Sequence, residues 1–175
     1  MNSSDEEYSF SDNEEFPPVK ASTKQFQFVK EVSSEKKRLQ SFKYSIYIKV
    51  SGIQWAYIIL NTNGEKKAYS GESPHSNEDR CYLIALVHGI KSILQSYSMD
   101  ELKFIKISCY ITSVYCMNVC KEWINLWKKD KFINRPNLDY LQQLSEYIDN
   151  SHIEFIYIVS NPTSVQKELN APFCN

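Results

Sequence analysis

Glycine is scarce in this chain, at 4 of 175 residues. Neither a glycine-rich phosphate cradle nor a Gly-x-Ser-x-Gly nucleophile turn is present, which removes those enzyme classes. The five cysteines (Cys81, Cys109, Cys116, Cys120, Cys174) are odd in number and contain no Cys-x-x-Cys pair. A disulfide framework and a zinc ribbon are thereby excluded, and a reducing intracellular setting is expected. No apolar run approaches the roughly 20 residues that cross a bilayer, and the first residues are acidic where a signal peptide would be basic. The expectation is an intracellular protein that is neither secreted nor membrane-spanning.

Basic residues are missing from positions 1–16, which hold Asp5, Glu6, Glu7, Asp12, Glu14 and Glu15. Taking those six from 21 acids leaves 15 against 20 bases, so a formal net charge of −1 conceals a basic body behind an acidic tail. Such a body suits contact with phosphate, and its own tail can temper that contact. Residues 1–18 lack periodicity and end on Pro17-Pro18, so they read as a disordered acidic tail. Ser4 and Ser11 each precede carboxylates, the pattern acid-directed kinases prefer, which makes them candidate phosphorylation sites. Residues 19–42 mix Lys20, Lys24, Lys30, Lys36, Lys37 and Arg38 with a few aromatics. They read as a basic linker with a short helix near 34–40.

What is plentiful is β-forming and aromatic: 12 Tyr, 9 Phe and 3 Trp. From Lys43 onward the pattern has period two, giving strands over 44–52, 54–60 and 65–70 as a meander. Apolar spacing then predicts a helix over 77–98 capped by Asn77, a strand over 104–110 and a helix over 113–128. A helix over 138–148 starts behind Pro136, and 153–159 is the last strand. This order implies an α/β domain over 43–175, a mixed sheet of about five strands, the first three antiparallel, flanked by helices.

Several of these segments resemble the ribonuclease H family. Asp79-Arg80-Cys81-Tyr82-Leu83 is similar to the Asn-Arg-Met-Glu-Leu that opens the family's first helix, and Tyr110-Ile111-Thr112-Ser113-Val114-Tyr115 to its fourth-strand Tyr-Thr-Asp-Ser-Gln-Tyr. Cys120 to Lys131, followed by Arg135-Pro136-Asn137-Leu138-Asp139, resembles the helix and basic loop that rest on the nucleic acid duplex. The resemblance spans about 43–160 and implies the ribonuclease H fold. The family cuts the RNA strand of an RNA–DNA hybrid with two Mg²⁺ ions, whose preference for oxygen anions demands four carboxylates. Matched position by position, those carboxylates fall on Lys49, Tyr82, Thr112 and, near the C-terminus, Asn170. None is an acid. The resemblance therefore implies an inactive family member that needs no cofactor or metal.

A binding or scaffolding role remains. The resemblance places Lys121, Trp123, Trp127, Lys128, Lys129, Lys131 and Arg135 against nucleic acid, where aromatic faces stack and cations meet phosphates. The bland reading makes both tryptophans core and the lysines a solvated face. Two further functions stay open. One is an active Mg²⁺-dependent nuclease using displaced acids such as Glu72, Glu78, Asp79 or Asp139. The other is a protein-interaction module whose acidic tail binds a basic partner or the body itself. The histidines have no metal-ligand spacing, and Cys116 and Cys120 read as small buried residues.

Overall fold

The computed structural model describes residues 41–174. The expected tail, most of the linker with its short helix, and the candidate sites Ser4 and Ser11 lie outside the described residues. Five strands form one sheet: β1 (Phe42–Ser51), β2 (Gln54–Asn61), β3 (Lys66–Glu72), β4 (Ile105–Ile111) and β5 (His152–Tyr157). Their order across the sheet is β3-β2-β1-β4-β5. The first three pair antiparallel, as the meander requires, while β4 joins β1 and β5 joins β4 in parallel. Parallel neighbours need crossovers, and these are supplied by α1 (Glu78–Leu94) with the short α2 (Met99–Leu102), and by the helices between β4 and β5.

The sheet is asymmetric in its cover. Alternate residues Ile46 and Ile48 of β1, and Ile105, Ile107, Cys109 and Ile111 of β4, are buried together with Leu83, Leu86, Val87 and Ile90 of α1. The opposite face is covered by α6 (Thr163–Asn170), whose Val165 and Leu169 pack on Ala56 and Ile58 of β2. This is why β2 is buried on both sides. Asn77 caps α1 as its spacing implies, accepting a hydrogen bond from the Arg80 amide at 2.8 Å.

Four elements differ from the sequence expectation. The first strand opens at Phe42, the last residue assigned to the linker. The helix after β3 stops at Leu94, and a separate turn of helix, α2, opens with Ser98 and Glu101 bonded as a reciprocal cap. The single helix expected over 113–128 is α3 (Val114–Asn118), a π-turn (Val119–Trp123) and α4 (Ile124–Lys129), with the Ile124 amide reaching back five residues to the Val119 carbonyl. The last helix, α6, was not expected at all; α5 (Leu138–Asn150) precedes β5, and α6 follows it. Its eight residues contain only Val165 and Leu169 as apolar anchors, too few for a periodicity to stand out.

Candidate functional site

Lys49 near the end of β1 and Thr112 just past β4 lie at the carboxyl ends of neighbouring parallel strands, where open α/β sheets form their crevices. The first turns of α1 bring Glu78, Asp79 and Tyr82 to the same place, and Asn161 enters from beyond β5. Together with Ser113 they line a cleft of about 280 Å³. Asn161 is fastened there by donating to the Ile48 carbonyl at 2.9 Å.

Three of the four positions matched to the family's carboxylates line this cleft, and the fourth, Asn170, is bonded to Lys49, so the four fall into two pairs. Lys49 Nζ donates to Asn170 Oδ1 at 2.5 Å, and the ammonium also stands 4.9 Å from the centre of the Phe173 ring. Tyr82 and Thr112 form the second pair: the Thr112 amide donates to the phenol oxygen at 2.8 Å, and the two hydroxyls lie 3.3 Å apart. Burial pushes the Tyr82 phenol up to about 12, with the hydrogen bonds to Thr112 opposing the rise, so it stays neutral at physiological pH. An ammonium, a phenol, a hydroxyl and an amide do not fit Mg²⁺. The first repels the ion and the others bring no anionic oxygen. Among the described residues no three His, Cys, Asp or Glu side chains come together in a way that would hold a metal.

The acids named as displaced alternatives are distributed rather than gathered. Glu78 and Asp79 line the cleft, Glu78 accepting from the Gly52 amide at 3.1 Å. Glu72 accepts from Gln54 Nε2 at 2.8 Å at the far edge of the sheet, on β3. Asp139 takes a two-pronged contact from Arg80, at 3.2 and 3.3 Å.

The basic residues expected on the nucleic-acid face occupy a second surface, on the π-turn, α4 and the loop behind it. Trp123 and Trp127 are half-buried: their rings, 5.5 Å apart, pack on the core with one side and leave the other at the surface. Tyr115 adds a third ring edge-on to Trp123 at 5.8 Å, and Arg135 lies over Trp127 at 5.0 Å. The tryptophans are thus neither wholly core nor wholly surface. Lys121, Lys129, Lys131 and Arg135 are exposed, and the last three line an open groove of about 520 Å³ with Asp130 and Ile133. Lys128 differs from its neighbours in being paired with Asp149.

The loop's shape is unusual for its composition. Lys131, Phe132, Asn134 and Asn137 all have positive φ, between 52° and 63°. Side chains other than glycine adopt this region rarely, and Lys and Phe more rarely than Asn. Phe132, 8% exposed, anchors the loop in the core and offsets that strain, which presents Lys131 and Ile133 outward on either side of it. Sequence reasoning missed Tyr115, Asn161 and Phe173. Tyr115 stands two helical turns before Trp123 and was within reach of a spacing argument; the other two depend on where α6 folds.

Four of the five cysteines are buried, and Cys174 is exposed. Cys109, Cys116 and Cys120 sit in the core, and desolvation pushes the Cys116 thiol up to about 12, against the opposing hydrogen bond from Ser113. His88, half-buried on α1, lies edge-on to Trp55 at 5.5 Å, and burial lowers its proton affinity. Among the described residues no helix is long and apolar enough to cross a membrane.

Comparisons with known proteins agree with this fold. No protein-family model matches the chain. A Ribonuclease H of Campylobacter concisus (strain 13826) is 27% identical over 92 residues, 53% of this chain and 58% of that one. A Ribonuclease H of Thermoanaerobacter sp. (strain X514) is 26% identical over 110 residues, 59% of this chain and 65% of that one. The chain thus spans somewhat under two thirds of these relatives. Among solved structures, LC9-RNase H1, a type 1 RNase H with the type 2 active-site motif, superposes with a TM-score of 0.61 at 10% identity, over 77% of this chain and 71% of that one. The prototype foamy virus protease-reverse transcriptase gives 0.56 at 14% identity, over 76% of this chain and 20% of the other. The foamy viral protease-reverse transcriptase in complex with RNA/DNA hybrid gives 0.53 at 13% identity, over 83% and 21%.

Proposed function

We propose that this chain, ribonuclease H-like in sequence and in fold, binds nucleic acid of the RNA–DNA hybrid type and does not cut it. The observation that carries the reading is the double pairing of Lys49 with Asn170 and of Tyr82 with Thr112, with Lys49, Tyr82 and Thr112 lining one cleft. Two-metal hydrolysis needs anionic oxygens on both ions, and these pairs put a cation and neutral groups at those seats. The metal site has become a set of mutually satisfied side chains. Binding is assigned to the other surface: Lys121, Lys129, Lys131 and Arg135 for phosphates, Trp123 and Trp127 for stacking, with Lys128 secondary because Asp149 already neutralises it. The resemblance of this helix and loop to the family's duplex-facing segment supports the assignment.

The test is a binding titration of the full chain against a hybrid, a DNA duplex and a single strand across a salt series. Affinity for the hybrid is expected to fall steeply as salt rises, with a slope of roughly −0.9 per phosphate contacted. A salt-independent affinity, or none at low salt, defeats the reading. The displaced-acid nuclease is kept as the second reading because Glu78 and Asp79 do line the cleft. Cleavage that requires Mg²⁺ is its signature.

A further inference from the structure

The surface of α4 and its loop carries more positive charge than the surrounding domain uses. Lys121, Lys129, Lys131 and Arg135 form no ion pair among the described residues, and only Glu122 and Asp130 stand among them as acids. Beside the cations lie exposed apolar groups, Ile133 at 63% and Leu126 at 55%, and the outer faces of Trp123 and Trp127. A surface with both features fits a partner that offers carboxylates and aromatic rings in alternation. The chain contains such a segment. Residues 5–16 read Asp-Glu-Glu-Tyr-Ser-Phe-Ser-Asp-Asn-Glu-Glu-Phe, with six acids, three aromatics and no base.

We propose that residues 5–16 dock on the Lys129–Arg135 groove and the adjoining tryptophan faces of their own chain, where they compete with nucleic acid. Reach is no obstacle. Residues 17–41 are 25 residues of connecting chain. At about 3.3 Å each they span up to about 80 Å, several times the radius of gyration of about 14 Å expected for a domain this size. Tethering holds the segment at an effective concentration of order millimolar, so modest contacts suffice. The charges are complementary: Lys129, Lys131 and Arg135 meet carboxylates at short range, where screening is weakest. Phosphate on Ser11, inside the segment, would add up to about two negative charges and tighten the contact.

The docking shares its surface with the nucleic-acid reading but does not require that reading to be right, and the experiment keeps the two apart. The full chain is compared with a full-length variant carrying D5N, E6Q, E7Q, D12N, E14Q and E15Q, by NMR of the three indole N–H groups, with no nucleic acid in the tube. Trp55, 4% exposed and far from the groove in sequence, serves as the internal reference. The Trp123 and Trp127 signals should move on neutralisation, and in the unaltered chain on raising salt from about 50 to about 500 mM, while Trp55 stays. Unmoved indoles at low salt overturn the proposal. So does a shift that grows with protein concentration, which would seat the segment on a second copy. In a second arm, hybrid affinity at low salt should rise about tenfold in the neutralised chain. Equal affinities overturn the competition. If the indoles move and neither chain binds hybrid, docking stands and the nucleic-acid function falls.

Discussion

Lys49 and Asn170, 121 residues apart in sequence, are joined by a hydrogen bond of 2.5 Å from the lysine ammonium to the asparagine side-chain oxygen. The contact ties the central strand β1 to the end of α6, and Phe173 closes over the same ammonium. A cation on the chain thus bridges two elements at the place where the fold's relatives are expected to use metal. One consequence is that Lys49→Met should lower stability by about 1–2 kcal/mol, since it deletes a charge-assisted hydrogen bond and a cation–π contact at a half-buried site. Urea titration of both chains measures this directly. Equal midpoints would show the clasp to be idle.

Tyr82→Phe removes the acceptor of the Thr112 amide and should cost about 1–2 kcal/mol near neutral pH. It should also change the alkaline limb of stability. The Tyr82 phenol is raised by burial from its ordinary value of 10.0 to about 12 in the folded chain. The unfolded chain therefore loses this proton first, so stability is full below about pH 10 and falls as pH rises toward 12. Tyr57, likewise raised to about 12 by burial, contributes a second such loss. Denaturation at a series of pH values should show the Phe variant with a shallower fall above pH 10; identical slopes would contradict the assignment.

Placing acids at the four matched positions is a stringent check on the cleft. The combination Lys49→Asp, Tyr82→Glu, Thr112→Asp and Asn170→Asp places four carboxylates together, and their repulsion should destabilise the chain without metal. Mg²⁺ should then raise its melting temperature in proportion to the logarithm of concentration, while the unaltered chain shows no such response. A metal-insensitive quadruple variant that still folds would mean that these residues do not converge as described.

Gly71 lies against Trp55 so closely that an added Cβ would sit 2.4 Å from the ring. The neighbour is a buried indole stacked on Tyr57, with little room to yield. Gly71→Ala should therefore cost about 1–3 kcal/mol by overpacking, read from thermal unfolding. Gly64→Ala, with open space around it but φ at +79°, isolates the backbone cost for comparison.

On the basic surface, reversing Lys129, Lys131 and Arg135 to Glu should abolish hybrid binding at moderate salt. Lys128→Ala should have a much smaller effect, because Asp149 already holds that ammonium. Comparable losses from the single and the triple variant would remove the distinction drawn between them.

How much of this was legible in the sequence depends on range. The meander and the cap at Asn77 follow from local chemistry, since alternation and side-chain capping act over a few residues. Lys49, Tyr82 and Thr112 were singled out through the family resemblance, and each lies on or next to an element whose pattern is strong. The π-turn was hidden because one extra residue in a helix leaves the apolar spacing of 113–128 nearly unchanged. The helix carrying Asn170 and the partners Phe173 and Asn161 could not be read, because their burial comes from packing on a sheet face more than a hundred residues away in sequence. The positive φ values at Lys131 and Phe132 likewise have no local signature, as neither residue type favours them.

The central claim is that this domain grips a hybrid without cutting it. It is tested most directly by incubating saturating full-length protein with end-labelled RNA–DNA hybrid in Mg²⁺ and resolving the strands on a denaturing gel. The expected result is an intact RNA strand in a fully shifted complex. Fragments that vanish with chelator, and that vanish too when Glu78 and Asp79 are changed to Gln and Asn, would contradict it.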